Sequence, residues 1–159
     1  MPRFIDGLIS AKGGKFAIVA SRFNAFIVER LVDGALDAIV RTGGAADDVT
    51  VVRCPGAFEL PQVARRVIDH GGHDAVIVLG CVIRGATPHF DYVAGEAAKG
   101  VGQLAMSSKV PVVFGILTTE SIEQAVERAG SKQGNKGFDA AMAAIEMVSI
   151  YAQLAPHGK

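Results

Sequence analysis

Apolar positions along the chain change their period several times, from short unbroken runs to four-residue spacing and back. Phe16-Ala-Ile-Val-Ala20 is a short apolar run and predicts a strand. From Phe26 to Thr42, Ile27, Leu31, Ala35 and Ile39 recur every fourth residue, one face of a helix that Gly43-Gly44 stops. Val49-Thr-Val-Val52 is β-branched and strand-like, closed by Pro55-Gly56. Leu60 to His70 reads as a helix ending at Gly71-Gly72. The unbroken apolar stretch within Asp74 to Ile83 predicts a third strand, buried on both faces. Asp91 to Ser108 reads as a helix rich in small residues. Val110 to Leu117 is the fourth strand, with Pro111 keeping its first residues outside the ladder. Ser121 and Gln124 have the spacing of a capping box on a short helix. A polar, glycine-rich loop from Gly130 to Gly137 then precedes a last helix reaching about Leu154.

The order β-α-β-α-β-α-β-α-α predicts a three-layer α/β/α domain around a four-stranded parallel sheet, flavodoxin-like, with right-handed crossovers. One domain covers residues 1–159, with 1–12 as an N-terminal segment and 155–159 as a frayed tail. Phe4-Ile-Asp-Gly-Leu-Ile9 suits an edge strand added to the sheet of a neighbouring subunit.

Composition changes this picture in one respect. Hydrophobic residues make up 50% of the chain, and the 19 glycines raise the apolar share to roughly 60%, against a usual 45–50%. No run approaches the roughly 20 apolar residues that span a bilayer, so subunit interfaces are the expected destination of the surplus. A homo-oligomer follows. Sixteen basic residues balance sixteen acidic ones without clustering, which argues against nucleic acid as a partner. Arg3 and Asp6 come too early for a signal peptide, so a cytoplasmic location is expected. Cys54 and Cys81 fit no metal or redox spacing and read as small buried residues at strand ends. His70, His73 and Asp74 have no second cluster to complete a metal site. No metal and no cofactor are expected.

Candidate chemistry gathers after each strand, where open α/β sheets place ligands. Ser21-Arg-Phe-Asn24 follows the first strand and Gly56-Ala-Phe-Glu-Leu-Pro61 the second. Phe23 and Phe58 are either lids over local core or the walls around a planar heterocycle. Glu59 either favours the first turn of the next helix or accepts hydrogen bonds from a polyol or ring N–H. After the third strand, Arg84, Thr87 and the helix N-terminus suit a phosphate, and His89 suits proton transfer near neutral pH. The segment 129–137 lacks P-loop spacing, since Asn135 stands where the second glycine belongs and a helix precedes it. Arg128, Lys132 and Lys136 around its glycines suit an anion, or else a solvated connection between helices.

Four blocks, Ser21 to Asn24, Gly56 to Pro61, Gly80 to Val93 and Glu127-Arg-Ala-Gly-Ser-Lys-Gln-Gly-Asn-Lys-Gly137, resemble the signature segments of the 6,7-dimethyl-8-ribityllumazine synthase family. The resemblance runs from about Phe16 to the final helix. It implies the penultimate step of riboflavin biosynthesis: 5-amino-6-(D-ribitylamino)uracil condenses with 3,4-dihydroxy-2-butanone 4-phosphate, releasing phosphate and water. By position it implies that Phe23 stacks on the pyrimidine while Ala57, Phe58 and Glu59 hold the ring and ribityl chain. Cys81, Val82 and Ile83 would line the uracil edge through their backbone, and Ala86 and Thr87 would touch the phosphorylated ketone. His89 would transfer protons. Phe114 and Arg128 match residues that the family supplies from the adjacent subunit, Arg128 clamping phosphate and Lys136 adding charge. Cys81 and Pro88 fall where relatives vary. The family assembles as pentamers, in many members twelve of them closed into an icosahedral shell, and riboflavin synthase is a partner the resemblance suggests. A flavodoxin-like module binding flavin or a pterin without turnover is the alternative; it needs the aromatic residues but neither His89 nor Arg128.

Overall fold

In the computed structural model, which describes residues 1–157, strands β1 (Phe16–Ser21), β2 (Val49–Cys54), β3 (Ala75–Ile83) and β4 (Val112–Thr119) build one sheet. All neighbours are parallel and the order is β2-β1-β3-β4. The sheet carries α1 (Ala25–Arg41), α2 (Leu60–His70), α3 (His89–Ser107), α4 (Ile122–Glu127) and α5 (Lys136–Leu154).

Side chains alternate across the central strands, and each face has its own core. Phe16, Ile18 and Ala20 on β1, with Ala75, Ile77 and Leu79 on β3, pack with α1 and α5 residues such as Leu31 and Ile145. Ala17, Val19, Val76 and Val78 point the other way, towards Leu60 and Ala64 of α2 and Ala97 and Val101 of α3. Burial on both faces is why β3 reads as one continuous apolar run. Ile27, Leu31, Ala35 and Ile39, the four-residue stripe, are all fully buried.

The expected ladder start also holds. Pairing of β3 with β4 begins at Val76–Val112, and Pro111 contributes only its carbonyl, accepting from Val76 N at 2.9 Å. Ser121 caps α4 by accepting from Gln124 N at 3.2 Å, but the Gln124 side chain accepts from Glu120 N, one residue outside a strict capping box.

Two elements differ from the sequence expectation. The helix α3 begins at His89 instead of Asp91: Pro88 stands at the cap, where its missing N–H costs nothing, and Asp91 N closes the first turn on Pro88 O at 3.0 Å. The segment 130–137 is no loop but a small antiparallel hairpin of β5 (Ala129–Ser131) and β6 (Gly134–Asn135), followed at once by α5. Phe4 to Ile9 forms no strand within its own chain and instead lies beside α5. Leu8 N donates to Ser149 Oγ at 2.9 Å and Gln153 Nε2 to Asp6 O at 2.7 Å. Residues 155–157 follow α5 without regular structure; the rest of the expected tail, 158–159, lies outside the described residues.

Asn135 shows what its place in the sequence is for. Its Oδ1 accepts from Phe138 N and its Nδ2 donates to Arg30 O, each at 3.0 Å. One side chain thus caps α5 and ties it to α1.

Candidate active site

The strand order reverses direction between β1 and β3, and a crevice at such a point is where open α/β sheets bind ligands. Asn24 builds one lip of it. The chain leaves β1 through Asn24 in the left-handed conformation, φ 61°, which short polar side chains tolerate. Its Nδ2 crosses the sheet end to donate to Cys81 O at 2.9 Å. Arg22 N and Phe23 N donate to Cys54 O and Pro55 O, at 2.8 and 3.1 Å, which ties the two adjoining loops together. Phe23 is left pointing outward, 71% exposed.

After β2, a 3-10 turn at Ala57–Glu59 buries Ala57 and leaves Phe58 half exposed. A carboxylate oxygen of Glu59 lies 3.1 Å from where a Cβ on Gly56 would be, so Glu59 folds back over that glycine. On β3, Cys81 and Val82 are buried and Ile83 is half-buried. Burial pushes the Cys81 thiol up to about 12, and burial raises the Cys54 thiol as well. Both thiols are free and buried, and burial disfavours the thiolate that a nucleophile needs. What Cys81 offers a ligand is its backbone. Ala86, Thr87 and His89 follow in an exposed turn, with His89 the first residue of α3.

Ten of the thirteen expected residues therefore meet at the carboxyl ends of β1, β2 and β3. The other three, Phe114, Arg128 and Lys136, do not join them. They line a separate cavity of about 390 Å³ along the outer edge of β4, with Thr118, Gln133 and Asp139. Phe114 pairs with Val78, five register positions before the last pair of Ile83 with Thr119. At a strand rise of 3.3 Å that is roughly 16 Å below the sheet end. Within one chain Phe114 cannot touch a ring stacked on Phe23.

The hairpin explains how Arg128 and Lys136 come together. Lys136 N donates to Arg128 O at 2.9 Å across its base. Among the described residues Arg128 engages the protein through Nη1, donating to Gln124 O at 3.0 Å with Glu127 Oε2 at 3.7 Å, and the rest of its donor fork has no partner there. Arg84, expected to help hold phosphate, is different. Its Nε lies 2.8 Å from Glu120 Oε2 and its Nη1 3.2 Å from Asp91 Oδ1. Two carboxylates already neutralise it, which leaves Arg128 the less engaged of the two arginines. Sequence reasoning passed over Asp139 and Gln133; Asp139 sits three residues after Lys136, one helical turn on the same face. His70, His73 and Asp74 lie at the opposite end of the sheet, with His73 Nε2 3.2 Å from Thr50 Oγ1 and Asp74 accepting from Lys15 N.

A doubly wound α/β protein with an aromatic crevice at its strand ends and a cationic cavity on its outer edge belongs among the small-molecule enzymes. The sequence model of 6,7-dimethyl-8-ribityllumazine synthase matches residues 13–152. Curated relatives of that name include one from Chlorobaculum tepidum, 61% identical over 94% of this chain and 97% of its own length. Others are 59% identical, from Chlorobaculum parvum, and 60% identical, from Chlorobium limicola, each covering 94% of this chain and 96% of the relative. The chain belongs to the 6,7-dimethyl-8-ribityllumazine synthase family.

Proposed function

We propose that this protein condenses 5-amino-6-(D-ribitylamino)uracil with 3,4-dihydroxy-2-butanone 4-phosphate to give 6,7-dimethyl-8-ribityllumazine, releasing phosphate and water. The reaction makes it a transferase of riboflavin biosynthesis. The family match carries this reading, because residues 13–152 contain every candidate site residue from Phe23 to Lys136. Mixing the two substrates with purified protein tests it: the absorbance and fluorescence of the lumazine appear, and their absence refutes the assignment.

The roles are those the family resemblance implies, and the positions of the residues are compatible with them. Phe23 and Phe58, exposed at adjoining strand ends, offer flat faces to the pyrimidine. Ala57 abuts the ring, and Glu59, acceptor-only when ionised, takes hydrogen bonds from the ribityl hydroxyls. The backbone of Cys81, Val82 and Ile83 reads the uracil edge. Ala86 and Thr87 meet the phosphorylated ketone, and His89 moves protons as the amine attacks the carbonyl and water and phosphate depart. The substrate amine is itself the nucleophile, so the protein needs to align partners more than to activate a side chain. No electron changes hands, and the condensation calls for no redox cofactor.

Arg128 and Lys136 counter the phosphate, and Phe114 closes the far side of the ring. Because these three sit away from the strand ends of their own chain, we place them against the crevice of an adjacent copy. The single domain then works as a pentamer, twelve of which form an icosahedral shell, in the cytoplasm and with riboflavin synthase as a partner. Exposed Phe4, Leu8, Phe26, Tyr92 and Met106 supply apolar surface for such contacts, and the N-terminal segment, tied to α5 by two hydrogen bonds, would have to leave it to extend a neighbour's sheet. Sedimentation separates monomer, pentamer and shell; an active monomer sinks the shared site. No helix among the described residues is long and apolar enough to cross a membrane.

His89→Ala is expected to slow turnover by at most about 10²–10⁴-fold, the usual share of a positioned proton carrier, with bulk water replacing part of the function. Steady-state rates across pH measure it. An unchanged rate removes His89 from the mechanism.

A further inference from the structure

The geometry points to Arg84 as a positioning residue: it straps the β3–α3 turn closed and so sets Ala86, Thr87 and His89 for the condensation, an inference that rests on the activity proposed above. Arg84 follows the last residue of β3, and its backbone N donates to Thr119 O at 2.8 Å, one step beyond the β3–β4 pairing. Its side chain then reaches across the turn it begins. The guanidinium carbon lies 4.3 Å from the centre of the Phe90 ring, Nη1 meets Asp91, and Nε meets Glu120 beyond the end of β4. One planar fork thus joins the last residue before the turn to the first turn of α3 and to the neighbouring strand end.

The turn has little else to hold it. Residues 85–89 are all exposed, and outside the helix's own ladder the backbone bond between the turn and α3 among the described residues runs from Asp91 N to Pro88 O. Exposed ion pairs contribute about 1 kcal/mol or less each, so the strap adds little to global stability. Placement is another matter, because errors of about 1 Å at reacting groups cost up to 10²-fold in rate. Two carboxylates on one guanidinium also leave the cluster net negative, a poor place for a phosphate ester.

The test uses the full chain with Arg84→Gln, Glu120→Gln, the double variant and Arg84→Lys, each checked first for unchanged sedimentation and circular dichroism. Turnover is measured with each substrate varied, beside amide exchange over residues 84–92 and inhibition by inorganic phosphate. Arg84→Gln and Glu120→Gln should each lower kcat by roughly ten-fold, as a misplaced turn would, with KM for the pyrimidine unchanged. The double variant should be no worse than the weaker single, since both break the same strap. Arg84→Lys, which keeps charge but loses the fork, should recover only part of the rate. Exchange over 84–92 should quicken in both single variants. Unchanged kcat, additive losses, or a Glu120→Gln variant that binds phosphate more tightly would overturn the inference, the last by making Arg84 a direct phosphate ligand. Wild-type protein in the same assay reports on the activity itself; amide exchange still tests the strap if no lumazine forms.

Discussion

Arg128→Ala is expected to abolish lumazine formation, to below about a thousandth of the wild-type rate, while leaving the assembly intact. Loss of one preorganised donor aimed at developing charge typically costs 10²–10³-fold, and Arg128 supplies several donors together with the charge that phosphate needs as it leaves. The structure says why the fold should survive. Arg128 has one hydrogen bond to the protein, to a carbonyl in the preceding turn, and a loose approach to Glu127. Losing exposed contacts of that kind costs about 1 kcal/mol or less. Arg128→Lys keeps a point charge without the fork and should fall between the two. Turnover measured alongside sedimentation decides the matter. Near wild-type activity in Arg128→Ala would mean that the phosphate is held elsewhere.

The second large effect lies far from the chemistry. Gly137, in the first turn of α5, faces α1 so closely that an added Cβ would stand 1.9 Å from Leu31 O. No rotamer relieves a clash with backbone; the two helices must separate. Alanine normally favours a helix over glycine by up to about 1 kcal/mol, but overpacking costs 1–3 kcal/mol or more, and the clash wins. Asn135 raises the stakes, because its bond to Arg30 O holds α5 to α1 two residues earlier. Gly137→Ala should therefore lower the thermal midpoint by roughly 5–10 °C, at 2–4 °C per kcal/mol for a domain of this size, or yield insoluble protein. Calorimetry at matched concentration checks it. A midpoint equal to wild type would show that α1 and α5 lie further apart than described. Because Lys136 and the hairpin ride on this contact, a folded Gly137→Ala should also lose activity.

Particular residues show where reading from sequence succeeded and where it stopped. The stripe of Ile27, Leu31, Ala35 and Ile39 and the run from Ala75 to Leu79 are legible because burial repeats with the period of the backbone itself. The strand-end positions of Phe23, Phe58 and His89, where the fold class puts ligands, were legible because each follows an apolar run. The hairpin at Ala129–Asn135 was not, since strands of three and two residues are too short to carry any periodicity. Nor did the chain reveal that α3 begins at His89, a matter of one capping turn at Pro88.

By itself, then, the order of residues determined the layered fold and the family, because patterning and signature segments are local properties of the chain. Tertiary structure alone decided which of two arginines is the less engaged. Arg84 is neutralised by Asp91 and Glu120, brought to it by α3 and by the end of β4, while Arg128 keeps most of its donors open. It also decided that Phe114 stands on the sheet's outer edge, away from Phe23. Charge pairing and edge position depend on which distant segments the folded chain brings side by side, and no local pattern records that.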